Sequence, residues 1–443
     1  MSRPRRLLFL AFWYPPSRAS GVHRALAISR AFVDAGWEVA VVTVDERFLE
    51  EEVGSVDLSL LAEVPDGVEI RRVPFTTRRP SAVVPIDAIG RFRANVPLLW
   101  NLLDRQLARR VDRMRGRLPG GGRLAGVDER YLRWIEPVVA EGQELHRCTP
   151  VDHVLATGNP YAAFEAARRL SADLGVSFSL DYRDPWTIDV FSGDEVLSMP
   201  TRRLEAEIIE EAAAAFHVNQ ALADAYAERY PRVAERQHVA SNGFDRNSIP
   251  SNACAEGAIS FGLIGTLNAQ WPLAAMFDGW RAARPDLGDA TFDFAGHLGY
   301  FGRSAAVLQR ELPLESEGFR YHGPVEKGAV ASFYAKTRVV VVPAPGGAFV
   351  TSGKVFEAAA IGVPVLCIQG EGGGARQVLD GHPGAVFAKP DSASVAEGFL
   401  RAAELAASWR ADDVAATRAW AAHLKRDLAV SSIVKEVEAL VGA

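Results

Sequence analysis

Apolar residues along this chain fall into short unbroken runs, set apart by longer stretches in which polarity alternates at helical spacing. Leu7 to Ala11 is wholly apolar, Val22 to Ala35 carries a helical pattern closed by Gly36, and Glu38 to Val44 is β-branched and apolar again. Strands that read as continuous apolar runs are buried on both faces, so this order predicts a βαβ unit with parallel strands. The alternation recurs. Val151 to Ala156 and Val176 to Leu180 read as strands around a helix at about Tyr161 to Leu174, followed by short strands at Phe216 to Asn219 and His238 to Ser241. Further strands are expected at Ala258 to Ile264, Phe292 to Ala295, Phe319 to His322, Val339 to Val342 and Val363 to Ile368. The fold class is α/β.

At 443 residues the chain is too long for one typical core, so two domains are expected. Asn242-Gly243-Phe244-Asp245 signals a turn and Ile249-Pro250-Ser251-Asn252 a linker, which places the boundary between residues 1–250 and 251–425. The least regular part of the first domain is an insertion at about 76–147. Within it Leu103, Leu107, Val111, Met114 and Leu118 recur at helical spacing, with Arg105, Arg109, Arg113 and Arg117 on the other side. This basic amphipathic helix, near 98–118, could rest on an anionic membrane or an anionic acceptor, at about 1 kcal/mol per charge near a membrane surface. A solvated face over the domain core is the other reading, and the lack of Trp or Phe between Leu103 and Leu118 speaks for it.

Composition narrows the class. With 48% hydrophobic and 23% charged residues this is a globular chain, and no run is long enough to span a bilayer. A net charge of −6 argues against a general nucleic-acid binder. Cys148, Cys254 and Cys367 are odd in number and unrelated in spacing, suggesting neither a disulfide framework nor a zinc site. The apolar start after Arg5-Arg6 is interrupted by Tyr14-Pro15-Pro16, so it reads as a first strand rather than a signal peptide. The expected location is a reducing cytoplasm, with the basic helix as a possible peripheral contact at the inner membrane face.

The segment Thr351-Ser352-Gly353-Lys354-Val355-Phe356-Glu357, ending in Gly362-Val363-Pro364-Val365, carries the chemistry. A small Ser-Gly turn frees backbone N–H groups at a helix start, and Lys354 adds charge where the helix dipole already favours an anion. Glu357, one turn on, puts a carboxylate beside that anion, where it can accept hydroxyl donors. Phosphate next to a diol describes a nucleotide. The plainer alternative is an i,i+3 surface pair worth a few tenths of a kcal/mol. The first loop, with two prolines in place of GxGxxG, lacks the NAD fingerprint.

These residues resemble a family. The Ser-Gly-Lys-Val-Phe-Glu segment is similar to the nucleotide-sugar site of GT-B glycosyltransferases, particularly the retaining glycosyltransferase family 4. Phe12-Trp13-Tyr14-Pro15-Pro16 with Gly21 and Arg24, Asp181-Tyr182-Arg183-Asp184-Pro185-Trp186, Ser241-Asn242-Gly243-Phe244-Asp245 and Gly262-Leu263-Ile264-Gly265-Thr266 agree with it in order. The resemblance implies two Rossmann-like domains facing a central cleft, with a final helix in 426–443 crossing back to the first. It implies a nucleoside diphosphate sugar donor, a hydroxyl acceptor, and retaining transfer with no metal or other cofactor. Gly21 and Arg24 would then approach the donor, Arg183 and Asp184 the transferred sugar or acceptor, and Gly265, Thr266, Gly296 and His297 the diphosphate side of the cleft. Ser352, Gly353 and Lys354 would hold and stabilise the diphosphate, and Glu357 the ribose.

The chain departs from the family in three places. Arg183-Asp184 stands where many members carry a histidine, Asn268 to Pro272 supplies none of the usual Arg and Lys, and Phe349 replaces the first acid of a Glu-x7-Glu pair. Two other functions stay open: a nucleotide-sugar epimerase of the same fold, and a non-catalytic sugar-nucleotide-binding partner.

Overall fold

The computed structural model describes residues 3–77, 130–253, 257–267, 271–299, 308–344 and 346–442. The amphipathic pattern near 98–118 lies outside them. The strands are β1 (Arg6–Ala11), β2 (Glu38–Val44), β3 (Val68–Val73), β4 (His153–Gly158), β5 (Ser177–Tyr182), β6 (Ala214–His217) and β7 (Gln237–Val239) in one sheet. A second sheet holds β8 (Ser260–Ile264), β9 (Thr291–Ala295), β10 (Phe319–Tyr321), β11 (Val339–Pro343), β12 (Val365–Ile368) and β13 (Ala385–Ala388). Every pairing in both is parallel.

Why these runs become strands is visible in how they divide. Leu8 and Leu10 of β1 enter one core cluster while Leu7, Phe9 and Ala11 enter another, because successive strand side chains point to opposite faces. Val339 and Val341 of β11 likewise face one core, and Val340 and Val342 the other. Both faces are covered, which is what an unbroken apolar run demands.

The order β3-β2-β1-β4-β5-β6-β7 starts in the middle, winds out to one edge, and returns to wind out to the other. The order β10-β9-β8-β11-β12-β13 does the same. Each sheet therefore has one switch point, between β1 and β4 and between β8 and β11, where the carboxyl-end loops part and leave a crevice.

Four helices position the site. Helix α1 (Val22–Asp34) follows β1 and ends ahead of Gly36 at φ +83, as the sequence stop signal predicts. Helix α2 (Leu132–Cys148) buries Trp134, Ile135, Val138, Val139 and Leu145 in the first core. It spans the end of the segment expected as an insertion over about 76–147, and there it packs as a core helix.

Helix α3 (Gly353–Ile361) follows β11. Helix α4 (Arg426–Gly442) buries Val430, Ile433, Val434 and Val437 in the cluster that holds Val22, Ile28 and Phe32 of α1. The chain thus ends on the first domain. To get there it crosses the linker. Phe244 N–H donates to Leu424 O at 3.0 Å, and Arg426 N–H to Phe244 O at 3.0 Å. A Cβ on Gly243, which sits at φ +63, would come within 2.5 Å of Arg426 Cα, so only glycine lets the two strands of chain cross this closely.

Candidate active site

The loop from Ala344 to Ser352 leaves β11 at the second switch point and feeds α3. Ser352 is the N-cap, with extended backbone and a hydroxyl accepting the Lys354 N–H at 3.3 Å. Gly353 opens the helix with free space around it: a Cβ there would meet nothing within 4 Å. At the far end Gly362 adopts φ +99, Trp409 Nε1 donates to Gly362 O at 2.9 Å, and Arg418 Nε donates to Ile361 O at 3.0 Å. The helix is held at its carboxyl end by protein groups and offers its amino end.

Lys354 and Glu357 meet as the spacing predicts. Lys354 Nζ donates to Glu357 Oε2 at 2.7 Å. The plain i,i+3 pair and the ligand site are here the same geometry, and burial separates them. The Glu357 side chain is 11% exposed against 35% for Lys354, so the carboxylate is set into the protein while the ammonium reaches solvent. A buried carboxylate whose hydrogen-bonded cation reaches solvent can exchange that partner for hydroxyl donors.

Gly265, at φ +150, follows β8; a Cβ there would meet nothing within 4 Å, while its N–H donates to Ala295 O at 3.1 Å. Gly296 is different. A Cβ on it would collide with Gly265 O, with the Gly265 carbonyl carbon 2.7 Å away, and its N–H donates to Gly323 O at 2.8 Å. Its glycine serves packing between adjacent loops rather than a ligand. Thr266 follows Gly265, half-buried, and His297 is exposed with its backbone carbonyl accepting Leu267 N–H at 2.9 Å.

In the first domain Gly21 and Arg183 come together. A Cβ on Gly21 would fall on Arg183 Nη1, with the guanidinium carbon 2.5 Å away. The space on the Cβ side of Gly21 is filled by that guanidinium, so glycine here makes room for Arg183. Arg183 is 16% and Asp184 58% exposed, 3.9 Å apart at Nη2 and Oδ2. The loop carrying them is anchored by Tyr161, whose hydroxyl donates to Asp184 O and Pro185 O, each at 2.9 Å, and whose ring stacks on Trp186 at 4.8 Å.

Arg24 is not placed to touch a ligand. It is 3% exposed, and Nε and Nη2 grip Asp181 at 2.6 to 3.0 Å. Nη1 donates to Ser241 O at 2.9 Å and Nη2 also to Ala240 O at 2.8 Å. Thr157 completes the Asp181 carboxylate at 2.7 Å. A guanidinium with every nitrogen engaged by protein fastens α1 to β5 and to the start of the linker.

Residues the sequence reading passed over join the two halves. Asn219, just after β6, donates Nδ2 to Thr351 Oγ1 at 2.8 Å and to Ala348 O at 3.2 Å. Asn242 Nδ2 donates to Thr351 O at 3.3 Å. The last paired residues of β5 and β6 are Tyr182 and His217, so the Arg183 loop and the Asn219 turn leave neighbouring strands at the same end of the sheet. Arg426 donates Nε to Asn242 O at 3.1 Å and Nη2 to Gly243 O at 3.3 Å. Burial lowers its pKa from the ordinary arginine value, while Asp245 and Glu357 hold it up. In the sequence Asn219 reads as the end of a short strand, and Arg426 gives no signal there. A separate cavity of about 430 Å³, lined by Asp45, Phe48, Glu52 and Phe75 among others, opens near the carboxyl ends of β2 and β3.

Residues 260–404, which include Gly265, Gly296, Lys354 and Glu357, match the family described as Glycosyl transferases group 1. No curated protein matches the chain by sequence. In fold the chain is similar to Anabaena Alr3699/HepE in complex with UDP, at 14% identity and TM-score 0.64, over 98% of this chain and 99% of that one. It is also similar to sucrose-phosphate synthase from Thermosynechococcus elongatus, at 12% identity and TM-score 0.61, over 98% of each chain. A putative UDP-N-acetylglucosamine 2-epimerase from Listeria monocytogenes aligns at 13% identity and TM-score 0.55, over 99% of this chain and 96% of that one. The protein has the GT-B fold, with two Rossmann-like domains facing a central cleft. Among the described residues no helix is long and apolar enough to cross a membrane.

Proposed function

We propose that this protein transfers a glycosyl group from a nucleoside diphosphate sugar to an acceptor hydroxyl, with retention at the anomeric carbon and without a metal ion. The observation that carries the reading is the Lys354–Glu357 pair on the first turn of α3 at the switch point of the second sheet. A diphosphate arriving at that helix start draws the half-exposed ammonium toward it and leaves Glu357 to accept the ribose hydroxyls. As the glycosidic bond breaks, charge collects on the departing diphosphate. Lys354 and the α3 dipole stabilise it, as fixed donors stabilise any developing oxyanion.

Arg183 and Asp184 supply the first domain's charges toward the transferred sugar or the acceptor. The relative solved with UDP, and the family match over the residues that form the pair, support the nucleotide assignment. Peripheral contact of 98–118 with an anionic membrane belongs to the same proposal and is read by sedimentation with anionic vesicles.

Calorimetry with UDP, GDP and dTDP tests the donor site. Glu357→Ala should weaken nucleotide affinity about tenfold or more, as loss of a hydrogen-bonded charged group does. Lys354→Ala should lower turnover about 10²- to 10³-fold, the usual cost of one oxyanion donor. Unchanged nucleotide binding by Glu357→Ala, or a near-normal rate in Lys354→Ala, would reject the assignment.

A further inference from the structure

The donor groups Lys354 and Glu357 stand on one domain, and Arg183 and Asp184 on the other, so transfer depends on how the domains are registered. Asn219 sits at that joint with two tasks. Its Oδ1 accepts the Leu222 N–H at 2.8 Å, capping the helix Gln220–Arg229 of its own domain. Its Nδ2 crosses to Thr351 Oγ1 and Ala348 O. Asn219 is 9% and Thr351 8% exposed, so the bond is shielded from competing water. Thr351 immediately precedes the Ser352 cap, and its carbonyl is held by Asn242, whose own carbonyl is held by Arg426.

The hairpin Thr187 to Val196 adds shape. Its Gly193 receives Phe349, where a Cβ would lie 2.9 Å from the ring, and Gly347 at φ +99 lies against it, where a Cβ would be 2.7 Å from Val190 O. Loop 346–351 of the second domain is thus seated in a socket of the first, with a side-chain amide as its directional bond.

We infer that Asn219 is a positioning residue for transfer: it sets the loop that carries the α3 anion site in register with the Arg183–Asp184 loop, and it contributes nothing to nucleotide affinity. This rests on the glycosyltransferase reading above. It assigns a role that neither Lys354 nor Glu357 performs.

Asn219→Ser separates the two tasks. Serine caps a helix as well as asparagine does but is too short to cap and also bridge to the other domain. Thr351→Val removes the same bond from the other side while keeping shape. The probe is whichever UDP-, GDP- or dTDP-sugar most raises the melting temperature of the unaltered protein, with release of the nucleoside diphosphate as the rate. Each variant should keep its nucleotide dissociation constant, lose about tenfold or more in turnover, and melt only a few degrees lower, as loss of one or two buried hydrogen bonds implies. The double variant should be no slower than the slower single one. A fall in nucleotide affinity matching the fall in rate would overturn the inference, since Asn219 would then shape the donor site. Unchanged turnover would overturn it equally. Absence of any nucleotide-sugar binding by the unaltered protein would instead strike the reading of the site.

Discussion

Gly21→Ala offers a way to move one guanidinium without touching it. Gly21 lies at φ −69 and ψ −19, a conformation alanine adopts freely, so the new methyl brings no backbone strain. The whole effect is spatial. The methyl would occupy the position of Arg183 Nη1, and the guanidinium carbon would be 2.5 Å from it, well inside contact distance. The end of an arginine is flexible and the displaced group can turn toward solvent, so folding should survive. Replacing glycine reduces unfolded-state entropy by about 0.4–1 kcal/mol in favour of the fold, and lost packing of the arginine works against that. Net stability should change by less than about 1 kcal/mol.

Function should change far more. If Arg183 meets the negative charge developing on the acceptor oxygen in the transition state, losing it from its place costs about 10²- to 10³-fold in turnover, or roughly 3–4 kcal/mol. The assay compares Gly21→Ala, Arg183→Ala and the double variant for nucleoside diphosphate release and nucleotide affinity. All three should be slow to a similar degree, because two changes that remove one interaction do not add. Nucleotide affinity, set on the other domain, should hold. Normal turnover in Gly21→Ala beside a slow Arg183→Ala would refute the reasoning. So would selective loss of nucleotide affinity, which would return Gly21 to the donor.

Other expectations concern stability. Arg24→Met leaves the fully buried Asp181 carboxylate with Thr157 as its remaining side-chain partner, and should cost about 3–5 kcal/mol in urea unfolding. Replacing Asp181 by Leu in the same protein should recover much of it, and a harmless Arg24→Met would show that the pair is idle. Burial lowers the pKa of His153 to about 3, and of His217 and His382 to about 4. Because the unfolded chain takes up protons below about 6.5 that the fold refuses, stability is fullest above that pH. It should fall toward pH 4 by about 1.4 kcal/mol per pH unit for each imidazole. Glu205 works in the opposite sense, since burial raises its pKa and its share is lost as pH rises. Unfolding at pH 7, 6 and 5 checks the slope, and His153→Gln should reduce it by one histidine's share; a flat profile would contradict this.

What could be read from the chain divides along physical lines. Runs such as Leu7 to Ala11 and Val339 to Val342 announce themselves because a strand covered on both faces has no polar side to show. Lys354 and Glu357 were legible because helical periodicity brings neighbours in sequence together in space. Arg24 was misread for the opposite reason. Its partner Asp181 lies 157 residues away, and no local spacing encodes that contact. Gly296 shows the same limit, since a glycine required by another backbone looks identical in sequence to one required by a phosphate. Asn219 and Arg426 act only where linker, loop and final helix cross, a place defined by the assembled fold.

The most direct test is a crystal structure with the tightest-binding of UDP, GDP and dTDP. The account predicts the diphosphate at the amino end of α3 against Lys354, and both ribose hydroxyls on Glu357, with the 2.7 Å Lys354–Glu357 contact opened. A nucleotide bound elsewhere, or that ion pair intact beside a bound nucleotide, would contradict it.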